Sequence, residues 1–176
     1  MRRRKRCFAT PSNWRRRIIE EPLKAYRKLV FQQRYLDKVQ AFASTRELFQ
    51  EMKKSGIEIA LASSANQDEL ETYKAIARIS DLVDTSTTAD DVKRSKPHPD
   101  IFETALHKVG VKPSRALAPG DTPWDAESAA KAEVRIVGVM TGGWTENELY
   151  DAGCIEVYKD VGALLDRFSS SAFVTL

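Results

Sequence analysis

Between residues 57 and 168 short apolar runs alternate with amphipathic stretches of helical period, and no other feature restricts the fold of this chain as strongly. The runs at 57–62 (IEIALA), 82–85, 116–119 (ALAP), 135–140 (RIVGVM) and 155–158 have the length and composition of strands. Helices are predicted between them over 67–79, 99–109, 124–132, 145–152 and 161–168. Their ends carry start and stop signals: Asn66 with Glu69, Pro99 with Gly110, and Thr145 with Glu148 ahead of Gly153. Strands that alternate with helices build a parallel sheet covered on both faces, joined by right-handed crossovers. The fold class is therefore α/β and Rossmann-like, and any ligand should sit beyond the carboxyl ends of the strands.

The first 56 residues read differently. Trp14, Ile18, Ile19, Leu23, Tyr26, Leu29, Val30 and Tyr35 recur at helical spacing, and Pro22 predicts a break into two helical pieces. Ser44 and Glu47 form a capping-box pattern ahead of a helix that should stop at Gly56. The serines near the C-terminus read as a frayed tail. The expected organisation is a basic, disordered leader over 1–14, a helical piece over 15–40, the α/β core over 41–168 and a tail over 169–176.

Composition removes several classes of function. No apolar run is long enough to cross a bilayer, and no apolar segment follows the N-terminal charges as in a secretory signal, so a cytoplasmic protein without a membrane partner is expected. Cys7 and Cys154 stand far apart with only His98 and His107 to join them, which argues against zinc and disulfide frameworks. His98 reads as a surface turn residue. Net charge is +3, yet residues 1–17 hold eight basic and no acidic side chains, leaving 20 basic against 25 acidic in the rest. An acidic body argues against nucleic acid as a partner, with the leader 1–17 the sole candidate for such binding.

Three polar clusters follow strand ends or precede helices. Ser63 and Ser64 come directly after IEIALA and ahead of a helix N-terminus, a setting that suits a phosphate oxygen and equally an ordinary cap. Lys96 lies in the proline-stiffened loop RSKPHPD, where its ammonium is aimed at a fixed point, although a solvated turn lysine has the same pattern. Asp121 follows ALAP, and Asp125 stands four residues on, in the first turn of the next helix. Paired hard oxygen ligands of this kind suit Mg²⁺; a turn former and a helix-dipole partner are the plainer reading of the same two residues.

IALASSA, SKPHPDIFETAL and GDTPWDAESAAKA, in that order, resemble motifs II, III and IV of the haloacid dehalogenase-like hydrolases, particularly the phosphoglycolate phosphatase and beta-phosphoglucomutase branch. The likeness spans residues 29–165 and includes VGVMTGGW and the late AGCIEVY segment. It implies that Ser63 binds the transferring phosphoryl group with Ser64 as a backbone donor, and that Lys96 steadies the phosphoryl oxygens. It also implies that Asp121 ligates Mg²⁺ and that Asp125 supports the metal directly or through water.

The family attacks phosphate with the first aspartate of a DxDxT motif on a central strand. The first aspartate in this sequence is Asp37, in a helical stretch, and no DxD precedes Ser63. The resemblance therefore implies an N-terminally truncated chain with the remnant of a helical cap, and a sheet lacking the strand between motifs II and IV unless residues 6–10 fill it. Three functions are expected in order: magnesium-dependent hydrolysis of a small phosphorylated metabolite, impaired for want of the nucleophile; non-catalytic binding of a phosphate or phosphosugar; and nucleic-acid binding by the leader.

Overall fold

The structure, a computed structural model, describes residues 13–174, with side chains at 22, 23 and 25–174. The chain divides into two compact units, Met1–Val39 and Gln40–Leu176. In the first, helix α1 runs Asn13–Arg34 and a short 3₁₀ turn covers Leu36–Lys38. Pro22 lies inside α1 without ending it, contrary to the predicted break. Proline removes one hydrogen bond from the ladder, and in a helix of 22 residues intact turns on either side outweigh that loss.

The second unit contains α2 (Thr45–Lys54), β1 (Ala60–Ala62), α3 (Gln67–Ala77), β2 (Thr85–Thr87), α4 (Asp100–Val109) and β3 (Leu117–Gly120). It continues with α5 (Pro123–Lys131), β4 (Arg135–Val139), α6 (Glu146–Asp151), β5 (Glu156–Tyr158) and α7 (Val161–Asp166). Every strand pairing is parallel. Residue alternation along β4 shows how the sheet separates two cores: Ile136 packs with Ile101, Phe102, Ala126 and Leu149, whereas Val137 packs with Leu48, Met52, Leu164 and Phe168. Helices α4, α5 and α6 thus cover one face, and α2 and α7 the other.

The strands form two sheets, β1–β2 and β3–β4–β5, and no strand among the described residues joins β1 to β3. Residues 6–10, the segment considered for that place, lie outside the described residues, as does most of the leader 1–14.

Most elements start and stop where capping chemistry dictates. Asn66 and Glu69 form a complete capping box on α3, Thr145 and Glu148 do so on α6, and Gly110 ends α4 in the left-handed region. Ser44 departs from expectation: its φ of 65° turns the hydroxyl away, and it makes no cap hydrogen bond. Strand β1 is shorter than IEIALA because pairing with β2 covers Ala60, Leu61 and Ala62 alone. Ahead of it, the Ile59 N–H donates to the Asp84 carboxylate at 2.7 Å. Nor does the C-terminal segment fray. Ser171, Ala172 and Phe173 are buried, Phe173 stacks on Phe168, and the Ala172 N–H donates to Glu156 at 3.1 Å.

Candidate active site

At the carboxyl end of β1 the Ser63 N–H donates to the Thr87 carbonyl at 2.9 Å, extending the pairing with β2 by one bond. The Ser63 hydroxyl accepts from the Ala65 N–H at 3.1 Å, which tightens the turn into α3. Ser64 is exposed beside it. Both serines line an open depression of about 360 Å³ whose floor is apolar, including Leu61, Leu70 and Ile79, and whose rim includes Lys96.

Lys96 is held from several sides. Its ammonium donates to the Ala62 carbonyl at 3.1 Å and to Asp125 Oδ1 at 2.7 Å, and stands 5.4 Å from the centre of the Phe102 ring. The loop carrying it is fastened to α5, where the Ser128 hydroxyl donates to the His98 carbonyl at 2.6 Å and Lys131 donates to the Pro97 carbonyl at 3.0 Å. The proline-rich loop is therefore anchored at consecutive carbonyls, and the ammonium meets the ends of β1 and α5 together.

Asp125 has both oxygens engaged. Oδ1 accepts from Lys96, and Oδ2 accepts from the Thr122 hydroxyl at 2.6 Å and the Thr122 N–H at 3.1 Å. Thr122 returns a cap to the Asp125 N–H, so TPWD is a capping box at the start of α5. Burial pushes the Asp125 carboxyl up, but the Lys96 charge and the bonds from Lys96 and Thr122 more than offset this, and its pKa falls below the ordinary value. Asp121 is half-buried and shifts the opposite way: burial first, then the charge of Asp125, hold its pKa above the ordinary range. Thr141 faces it with a long hydroxyl contact of 3.5 Å.

Two glycines allow this crowding. A Cβ on Gly120 would lie 2.7 Å from the Asp125 Cβ, and one on Gly142 would lie 2.1 Å from the Asp121 carbonyl oxygen. The loop after β4 is thereby locked against the end of β3. The Lys96 ammonium thus joins Ala62, the residue before Ser63, to Asp125, with Asp121 beside the pair. Asp125, expected at a metal, is committed first to Lys96 and Thr122. The sequence reading passed over Thr122, Thr141 and Gly142; of these, Thr122 carried a legible signal, the T-x-x-D spacing of a capping box, whereas Thr141 and Gly142 reach Asp121 only through tertiary approach.

Asp121 fits a hard divalent cation by its donor chemistry, since it offers carboxylate oxygens near a second carboxylate whose own charge is already matched by Lys96. Among the described residues no group of three or more His, Cys, Asp or Glu side chains is placed to hold a metal.

The chain is similar to known proteins in sequence and fold. The family model of haloacid dehalogenase-like hydrolases matches residues 8–139. Among curated relatives, the pyrophosphatase PpaX of Bacillus cereus (strain AH820) is 29% identical over 152 residues, which make up 86% of this chain and 66% of that protein. PpaX of Bacillus mycoides (strain KBAB4) is 29% identical over the same lengths. The chain thus spans just under two thirds of these relatives. A hydrolase from Pseudomonas syringae superposes with a TM-score of 0.75 at 27% identity, covering 93% of this chain and 73% of that one. CbbY from Rhodobacter sphaeroides, solved in complex with phosphate, gives 0.60 at 27% identity over 69% and 55% of the two chains. No described helix is long and apolar enough to cross a membrane. The chain belongs to the haloacid dehalogenase-like hydrolases.

Proposed function

We propose that this unit binds the phosphoryl group of a small phosphorylated metabolite beside Mg²⁺, as the core of a phosphomonoester hydrolase. The observation that carries the reading is the position of Lys96, whose ammonium joins the end of β1 to Asp125 next to Asp121. A phosphate oxygen set between Ser63 and Lys96 would meet a hydroxyl and a cation at the end of one strand. Lys96 would orient that oxygen, and Asp125 would keep Lys96 in place. Mg²⁺ on Asp121, with Asp125 nearby, would neutralise phosphoryl charge. The PpaX name and the phosphate-bound CbbY structure agree with a phosphorylated ligand.

Turnover by this chain is expected to be small, because the family's reaction needs a DxDxT nucleophile and no DxD precedes Ser63 in the sequence. The engagement of both Asp125 oxygens favours a second reading, a phosphate or phosphosugar binder without chemistry. Calorimetry with inorganic phosphate and Mg²⁺, beside an aryl-phosphate assay, tests both. Magnesium-dependent phosphate binding that is lost in Asp121→Ala supports the shared site, and turnover lost in the same variant decides for the hydrolase. Absence of phosphate binding in magnesium sinks the proposal.

A further inference from the structure

Trp124 is 51% exposed, although it lies one residue before the buried Asp125 and three after Asp121. An indole on a helix start exposes a large apolar face to water, and this one is not loose. Its ring meets Trp144 edge to face, with centroids 5.4 Å apart and planes at 84°. Trp144 in turn packs against the core that contains Ile136 and Leu149.

The position of this ring pair relative to Asp121 is fixed from two directions. On one side Trp124 follows Asp121 by three residues, a backbone reach of at most about 11 Å. On the other, Trp144 ends a loop whose Gly142 backbone abuts the Asp121 carbonyl and whose Thr141 hydroxyl faces the Asp121 carboxylate. A substitution at Gly142 would drive that loop away, so the approach is enforced by steric necessity. Asp121 and the indoles therefore share the carboxyl end of β3, and Asp125, which follows Trp124 in the chain, holds the Lys96 ammonium.

We infer that Trp124, braced by Trp144, is a stacking platform that selects phosphorylated ligands bearing a flat aromatic group, of which a nucleoside monophosphate is the type, over phosphosugars of similar charge. The inference rests on the phosphate-binding reading above and adds the class of ligand. Lys96 and Ser63 take the charge, which every phosphorylated metabolite carries, and so they discriminate little. The indole face adds an interaction that only a planar ring returns.

The test is calorimetry on the whole chain in excess Mg²⁺ with three probes: inorganic phosphate, ribose 5-phosphate and adenosine 5′-monophosphate. Adenosine 5′-monophosphate should bind about tenfold more tightly than ribose 5-phosphate, the scale of one base stacked on one aromatic ring. Trp124→Ala should erase that ratio and leave ribose 5-phosphate affinity unchanged, and Trp124→Phe should restore most of it. Equal affinities for the two organic probes, or a ratio that survives Trp124→Ala, with inorganic phosphate still bound, would overturn the platform and leave the phosphate site standing. Failure of inorganic phosphate itself to bind would remove both.

Discussion

The two sheets of the α/β unit are built to different standards. In the larger sheet the central strand β4 holds Ile136, Val137 and Val139 at 0–6% exposure, with Leu149 and Leu164 fully buried on opposite faces. Strand β1 has no buried residue at all, and the helix beside it, α3, contributes Leu70 to the floor of an open depression. The larger sheet is organised by apolar packing; the smaller meets the cores through Ile59, Ala62 and Val83 and adds polar ties, among them Lys53 to Asp84 at 2.8 Å and Lys96 to Ala62.

The comparison breaks most sharply at matched leucines. Leu149→Ala removes a fully buried side chain and leaves a sealed void, so the loss should be about 4 kcal/mol, with transfer and cavity costs combined. Leu70 is also buried, at 5% exposure, but it lines the open depression, so water can enter part of the void left by Leu70→Ala and the loss should be smaller, about 2 kcal/mol. Urea unfolding at equal m-value measures both. Equal losses would show that the depression beside β1 is closed in solution.

Next in size is the junction between the sheets. Asp125→Ala would leave Lys96 partly buried without its partner and remove the carboxylate half of the α5 capping box, with an expected cost of about 3 kcal/mol. Because Lys96 also binds the Ala62 carbonyl, the variant should loosen β1 more than β4. Amide exchange read residue by residue checks this: acceleration at Ala60–Ala62 exceeding that at Arg135–Val139 is the expected outcome, and uniform acceleration would deny that the ammonium couples the sheets.

The same contrast explains what was legible in the sequence. Around the larger sheet, local signals and tertiary structure agree: RIVGVM is a strand because alternate residues serve two cores, and the Thr145–Glu148 box starts α6 as its spacing requires. Around the smaller sheet they diverge. IEIALA reads as six residues of strand and pairs over three, since pairing depends on a neighbour the pattern does not encode. Ser44 fails as a cap because its backbone is left-handed, a property of the entering turn and not of the S-x-x-E spacing. Within the site, Ser63, Lys96, Asp121 and Asp125 were legible as strand-end and loop residues. The bond from Lys96 to Asp125 was not, because it joins positions 29 apart in the chain.

The smallest effect concerns charge at the end of β3, and it carries a definite sign. Burial first, and then the neighbouring Asp125, raise the Asp121 pKa in the folded state above its ordinary value of 3.8. The folded state then holds that proton more tightly than the unfolded chain, so stability is greatest below the unfolded pKa and declines as pH rises through the raised one. Asp125 works in reverse, since its lowered pKa gives stability that is present above the unfolded value and lost as pH falls through the folded one. Asp121→Asn deletes the first slope and keeps the second. In chelator at neutral pH the variant should therefore melt slightly above the parent protein, and the difference should vanish as the pH is brought below about 4, where protonated Asp121 is as neutral as the amide that replaces it. Mg²⁺ should raise the melting temperature of the parent and not of the variant, because a cation relieves the same repulsion that the amide removes. If parent and variant melt together at every pH, Asp121 carries no unbalanced charge, and the donor chemistry that suits it to a metal is absent.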